Sequence, residues 1–515
     1  MLKKLNALNQ RKAGALLSYI SIAIGFAVSI VYTPIMLRLL GQSEYGLYSL
    51  TTSIVSYLGL LGFGLTAGYI RFYSRARARD DEASISNLNG MFLVVLSLIA
   101  LVAMFLGVLI AINAETIMNH KLTLSELNKA KILTILLSFN LAVTFPAGLT
   151  NAYLTAHECF IFQRIVQIIK NIISPFFIIP ILLMGYASVG MAVVTVIINC
   201  LCELIIAGYC LKILKMRFCF SHFNKKLFFE ICIFSSYIFL NIIIDQVNWN
   251  VDKYLLGIFY STSAVAVYAV AAQLSTYYNT FSTALSSVFI PRVNMIVSTT
   301  NDNKELTLLF TKIGRIQLYI MSFVCLGFIF FGRPFLFFWA GANYTDAYAI
   351  TLILIIPVIV PLIQNIGIEI QKAKNMHKFR SIVYTLMSFV NLIVSIPLCK
   401  AYGGIGAAAG TAFALIAANG FIMNWYYYKR IKLDIFYFWY EIASTFPAFI
   451  LPALVGIIIN WFIDLYKIPN FLASIPVFAL IYCISVWKLG LNEYEKTLIS
   501  PVLIKLHLIH RRNCQ

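Results

Sequence analysis

The stretch Asn241–Gly257 reads NIIIDQVNWNVDKYLLG. It lies inside an apolar run that extends from about Phe228 to Phe259. Two aspartates, a lysine, a glutamine and three asparagines therefore sit in apolar sequence. Lys170, Lys312 and Arg315 are similarly embedded. Side chains of these types can bind an anion, carry a proton or metal cation, or pair with one another. They do not form a catalytic set. The chain has no G-x-x-x-x-G-K-[ST], no H-E-x-x-H and no G-x-S-x-G. Its ten cysteines show no metal-ligand spacing; Cys200, Cys202, Cys325 and Cys483 lie in apolar runs, and Cys159, Cys219 and Cys514 in basic segments. We expect no enzyme activity, no catalytic residue, no metal, no cofactor and no disulfide.

The elements that carry these residues follow from composition. The chain has 515 residues, 61% hydrophobic and 11% charged, against roughly 25% charged in a soluble domain. This is the composition of an all-α polytopic membrane protein. About 20 apolar residues span a bilayer core as a helix. Fourteen segments qualify: 14–37, 46–70, 89–112, 130–156, 163–185, 188–211, 229–250, 262–290, 306–331, 346–369, 381–399, 404–428, 443–463 and 470–489. The first is too long for a cleavable signal and reads as a retained helix.

The net charge of +19 is read as topology rather than as a nucleic-acid footprint. Loops such as RFYSRARAR (71–79), KAKNMHKFR (372–380) and KRIK (429–432) fall on one side. That side holds about 28 of the 39 Lys and Arg, and the other about eight. The asymmetry predicts both termini in the cytoplasm.

An internal repeat organises the spans. GYASVGMAVVTV (185–196) resembles AYGGIGAAAGTA (401–412) at an offset of 216, which also places Arg164 on Arg380. Two parallel six-helix lobes are expected, 1–215 and 216–430, with two further helices and a tail in 431–515. Parallel repeats are a transporter architecture with the substrate site between lobes.

Three stretches carry a family resemblance: RLLGQSEYGLYSL (38–50), VDKYLLGIF (251–259) leading to AVYAVAAQL (266–274), and AYGGIGAAAGTAFALI (401–416). They resemble the polysaccharide transporters. These are the O-antigen and teichoic-acid-type flippases of the multidrug/oligosaccharidyl-lipid/polysaccharide exporter superfamily. The resemblance covers essentially the whole chain. It implies a two-lobed bundle in a bacterial plasma membrane that opens alternately to each side. The implied cargo is an oligosaccharide on an isoprenoid (pyro)phosphate. Membrane lipids, H+ or Na+ and glycan-assembly proteins are the implied partners, with no nucleic acid.

Such a cargo needs a wet, cationic cleft, because buried charge and unsatisfied hydroxyls are costly in hydrocarbon. Arg315 lies roughly 15 Å into its helix at 1.5 Å per residue. It is the first candidate for a phosphate contact, the alternative being pairing with carbonyls or an acid. Lys312 is one turn shallower. Lys170 either binds substrate or pairs with Glu203. Asp245 is a coupling candidate. Asp252 is a coupling site, a gate with a cation such as Arg38, or an interfacial pair with Lys253. Gln246, Asn248, Asn250, Gln273 and Asn279 could line the cleft. A drug or small-cation exporter and a membrane glycan polymerase or ligase are the rival readings.

Overall fold

Polar caps bracket the apolar runs and set where helices begin. The computed structural model describes residues 10–118, 122–220, 225–300 and 302–497. Asp81 opens Glu82–Ile112 by accepting from Ser84 N at 2.9 Å. Thr123 and Glu126 form a reciprocal capping box at the start of Leu124–Ala156. Asp302 caps Asn303–Trp339 and Asp434 caps Ile435–Ala443. Each cap satisfies backbone N–H groups that the first turn leaves open. Among the described residues there is no strand.

The main helices are α1 (Gln10–Leu40), α2 (Gln42–Ser56), α3 (Leu65–Arg77), α4 (Glu82–Ile112), α5 (Leu124–Ala156), α6 (Phe160–Leu183), α7 (Ala187–Lys212), α8 (Lys225–Phe259) and α9 (Thr262–Ser287). There follow α10 (Ile290–Thr299), α11 (Asn303–Trp339), α12 (Ala347–Ile363), α13 (Asn365–Ala373), α14 (Lys378–Leu415), α15 (Ile435–Ala443), α16 (Pro447–Phe462) and α17 (Ile468–Ser485). Among the described residues nine helices are long and apolar enough to cross a membrane, or up to eleven if each of two bent pairs is one span. Large apolar side chains remain exposed along them, for example Leu98, Leu101 and Phe105 on α4. Burying such a side chain is worth about 1.5–3 kcal/mol, so these faces belong in hydrocarbon. The chain is a multi-pass membrane protein.

One candidate span, Lys378–Ile431, is 54 residues long. As a straight helix it would measure about 80 Å, against a hydrocarbon core of about 30 Å. It is not straight. Gly403 adopts φ 59°, ψ −134°, a conformation open to glycine but strained for other residues. The chain reverses there, because a Cβ on Gly410 would come within 2.1 Å of Ser395 Oγ. In an unbroken helix those residues would be about 22 Å apart.

By packing, the chain divides into two compact units. Unit 1 takes the described residues up to 270 together with 384–411, and unit 2 takes 271–383 and the described residues from 412. The repeat-based boundaries at 215 and 430 are a different division of the same chain.

In unit 1, a core centred on Tyr69, Phe92, Leu96, Leu149 and Leu154 joins α3, α4 and α5. The starts of α2, α5, α7 and α9 are tied by polar contacts. Glu44 pairs with Lys129 and accepts from Ser188 Oγ at 2.5 Å. Glu126 accepts from Ser43 Oγ at 2.6 Å and Thr262 Oγ1 at 3.0 Å. Both carboxylates sit near helix N-termini, where the helix dipole favours negative charge. In unit 2, Phe331, Phe471 and Phe478 pack α11 against α17.

Cys514 lies outside the described residues, as does the side chain of Asp245 on α8.

Candidate functional site

Unit 1 contains two sets of polar side chains among apolar helices, the first mostly buried and the second half-buried. The first is centred on Asp252, which is only 2% exposed near the end of α8. Tyr268 on α9 donates its hydroxyl to Asp252 Oδ2. Thr411 Oγ1 donates to the same oxygen at 2.9 Å. The reversal at Gly403 brings Thr411 back beside Asn391 and Ser395, on the preceding arm of α14. Ser395 Oγ donates to Asn391 Oδ1 at 2.8 Å and lies 3.4 Å from the Ala407 carbonyl. Asn391 Nδ2 donates to Asn248 Oδ1 at 3.4 Å.

The chemistry of this cluster is specific. Its hydrogen-bond donors to Asp252 are neutral, and among the described residues Asp252 forms no ion pair. An ionised carboxylate held that way has, among the described residues, only Lys253 to offset its charge, and that without a contact ion pair, which is expensive in a low-dielectric site. A proton or a small cation would compensate it. From the carboxylate a chain of oxygens runs through the Tyr268 and Thr411 hydroxyls to the Asn391 amide, the Ser395 hydroxyl and the Ala407 carbonyl. That is a donor set for a hard monovalent cation as well as for a proton. Lys253, the next residue, acts on Asp252 electrostatically without a contact ion pair, and the carboxylate's hydrogen bonds go to a buried polar cluster. The partners of Asp252 are Tyr268 and Thr411 rather than Arg38, which is exposed in the last turn of α1.

The second set runs across α5, α6 and α7. Lys170 Nζ donates to Asn199 Oδ1 at 2.5 Å. Asn199 Nδ2 donates to Asn140 Oδ1 at 2.9 Å. One turn further along α7, Glu203 Oε2 accepts from Asn151 Nδ2 at 2.8 Å. Gln163 Nε2 reaches Asn151 Oδ1 at 3.5 Å. The expected pairing of Lys170 with Glu203 is not formed. Each charge is held by a neutral amide, and the two are joined only through the helices that carry them. Lys170, like Asp252, forms no ion pair among the described residues. The seam presents one cation, one carboxylate and several amides in otherwise apolar helices.

The remaining candidates have other placements. Gln246 accepts from Ser56 Oγ at 3.1 Å and from Asn250 Nδ2 at 2.6 Å. In unit 2, Gln273 donates to Tyr277 Oη at 2.6 Å, and Asn279 to the Ser275 carbonyl at 3.0 Å. Lys312 Nζ stands 3.8 Å above the Tyr494 ring.

Arg315 is 3% exposed and its guanidinium is enclosed. Nε donates to Glu495 Oε1 at 2.7 Å, and one terminal nitrogen donates to Glu495 Oε2, Tyr319 Oη and the Gly490 carbonyl. The other donates to the Glu441 carbonyl, Glu441 Oε2 and Ser444 Oγ. This is the pairing alternative, with carbonyls and two acids at once. It fixes α11 to α15 and to the segment after α17.

Sequence reading missed Tyr268, Asn391, Ser395 and Thr411. Asn391 and Ser395 are four residues apart in an apolar span, a spacing that places them on one helix face. That signal was available. Thr411 needed the turn at Gly403.

The sequence profile of the family described as "Polysaccharide biosynthesis protein" matches residues 12–297. A candidate O-antigen transporter of Shigella flexneri is 24% identical over 424 residues, spanning 80% of this chain and 96% of that protein. In fold, the chain is similar to the lipid II flippase MurJ in an inward closed conformation. The TM-score is 0.70 at 17% identity, over 95% of this chain and 99% of that one. It is also similar to an inward-facing multidrug resistance MATE family transporter of the MOP superfamily. There the TM-score is 0.61 at 12% identity, over 83% and 99% of the two chains.

Proposed function

Because the chain belongs to the polysaccharide biosynthesis protein family, we propose that it is a flippase for an isoprenoid (pyro)phosphate-linked oligosaccharide. It moves that cargo from the inner to the outer leaflet of a bacterial plasma membrane by alternating access, without enzymatic chemistry. Fourteen spans, two repeat-related lobes and cytoplasmic termini are the topology that goes with this reading. The reversal at Gly403 supports counting 381–399 and 404–428 as separate spans.

The observation that carries the reading is Lys170. A cation within apolar helices, held by a neutral amide instead of a carboxylate, has charge to offer an anionic headgroup. Asn140, Asn151, Gln163 and Asn199 beside it suit sugar hydroxyls. Arg315 serves the fold on this reading, not the cargo. Asp252 and its oxygen-rich neighbours are the coupling site, taking H+ or Na+.

The test is deletion of the gene in its host, with analysis of lipid-linked saccharides. The expected result is a complete isoprenoid-linked oligosaccharide trapped on the cytoplasmic leaflet and loss of surface glycan. An unchanged lipid pool with new drug sensitivity would instead identify an exporter of drugs or small cations. Single repeat units accumulating on the outer leaflet would identify a polymerase.

A further inference from the structure

Unit 1 has a second cationic feature, away from both polar sets. A cavity with two adjoining chambers, about 360 and about 580 Å³, opens where α3 ends and α4 and α8 begin. The chambers share Phe72, Arg75 and Glu230. Arg71, Arg75 and Arg79 recur every four residues, the last in the turn after α3. The same spacing on α8 gives Lys226, Glu230 and Phe234. Residues four apart lie on one helix face, so each helix turns one line of these side chains to the cavity.

The charges do not cancel. Four cations line the two chambers against two carboxylates, Asp81 and Glu230. Asp81 is already occupied as the cap of α4, accepting from Ser84 N at 2.9 Å and Ser84 Oγ at 2.5 Å. Those hydrogen bonds from Ser84 hold its carboxyl below the usual range. Among the described residues, Arg71, Arg75, Arg79, Lys226 and Glu230 form no ion pair. The carbonyl end of α3 favours cations nearby but leaves their N–H groups open. Arg71 lies over the Phe234 ring at 4.4 Å. Stacking fixes the guanidinium plane and leaves its edge free for bidentate contact with an anion. Phe72, Phe234 and Ile233 add an apolar wall beside the charges. An anionic head next to an apolar tail is the ligand this lining suits.

We infer that this cavity is a docking site for the phosphate or diphosphate headgroup of the lipid-linked cargo, occupied before the cargo reaches the Lys170 seam. The identity of the lipid rests on the function proposed above. The contact chemistry does not: Arg71, Arg75 and Arg79 grip phosphate oxygens, and Glu230 limits affinity by repulsion so that the head can leave.

The experiment uses the full chain in nanodiscs of phosphatidylcholine. Three probes are titrated and bound lipid is counted by native mass spectrometry: a long-chain isoprenyl diphosphate, the corresponding isoprenol, and phosphatidylglycerol. The diphosphate should bind in preference to the other two. Arg71→Gln/Arg75→Gln/Arg79→Gln should weaken it by about tenfold or more, the loss expected from even one charge-assisted contact. Glu230→Gln should strengthen it, an effect that misfolding would not produce. Unchanged diphosphate binding in the triple variant overturns the proposal, as does weaker binding in Glu230→Gln. Equal, arginine-dependent binding of phosphatidylglycerol overturns the cargo assignment in favour of a bulk phospholipid site. Diphosphate binding that persists while gene deletion leaves the lipid-linked pool unchanged would sink the flippase reading and leave the dock standing.

Discussion

At Arg315, guanidinium donors, carboxylates, carbonyls and hydroxyls satisfy one another. Glu495 is 1% exposed and depends on the arginine for its compensation. Removing one member of such a buried pair typically costs about 3–5 kcal/mol, while replacing the whole set by apolar groups is often neutral. Arg315→Leu should therefore lower the thermal midpoint in detergent sharply. Arg315→Leu/Glu495→Leu should recover a large part of the loss, though Glu441 remains without its partner. If the double variant is no more stable than the single one, the pairing is not what holds these helices. Sequence placed Arg315 well inside its helix, because position along a helix is a local count at 1.5 Å per residue. It did not reveal the partners, which arrive from 126 and 180 residues away. Lys170 failed differently. Its depth relative to Glu203 was legible from a short connection, but rotation about each helix axis was not, and rotation decides that both meet asparagines.

At the scale of elements, the break at Gly403 determines which oxygens surround Asp252. A residue with a Cβ at φ 59°, ψ −134° carries strain of roughly 1–3 kcal/mol. Gly403→Ala should relax by moving one arm of α14 against the other, separating Asn391 and Ser395 from Ala407 and Thr411. The expected result is inserted protein with a modestly lowered thermal midpoint and a transport rate that responds less to the ion gradient. A variant with wild-type gradient response would mean that the turn does not set the cluster. The two arms themselves were readable from sequence, because each is a separate apolar run on either side of a glycine pair. Their joint role was not, since hydrogen bonds across a turn depend on register, and register is invisible to hydropathy.

At the scale of the molecule, hydropathy was enough for a helical membrane protein, and short motifs were enough for the family. Both are properties summed over many residues, so errors at single positions do not matter. The Asp252 cluster ties this scale to energetics. In proteoliposomes, collapsing the H+ and Na+ gradients should slow wild-type transport. Asp252→Asn should transport slowly with or without the gradients, a loss of coupling of roughly 1–3 kcal/mol, or about 5–150-fold. Gradient-sensitive transport by Asp252→Asn would remove the aspartate from coupling.

The clamp on Arg315 also has a history in time. Chains are made from the N-terminus at about 5–20 residues per second. Arg315 is polymerised 180 residues before Glu495, so it waits roughly 10–40 seconds for that partner. During that interval α11 must enter the bilayer with a charge that nothing in its own unit yet neutralises on both sides. Unit 2 is thus finished only after α17 and Glu495 have left the ribosome. Chains truncated just before Glu495 and released should be unusually sensitive to the membrane's quality-control proteases, and chains that include Glu495 should not.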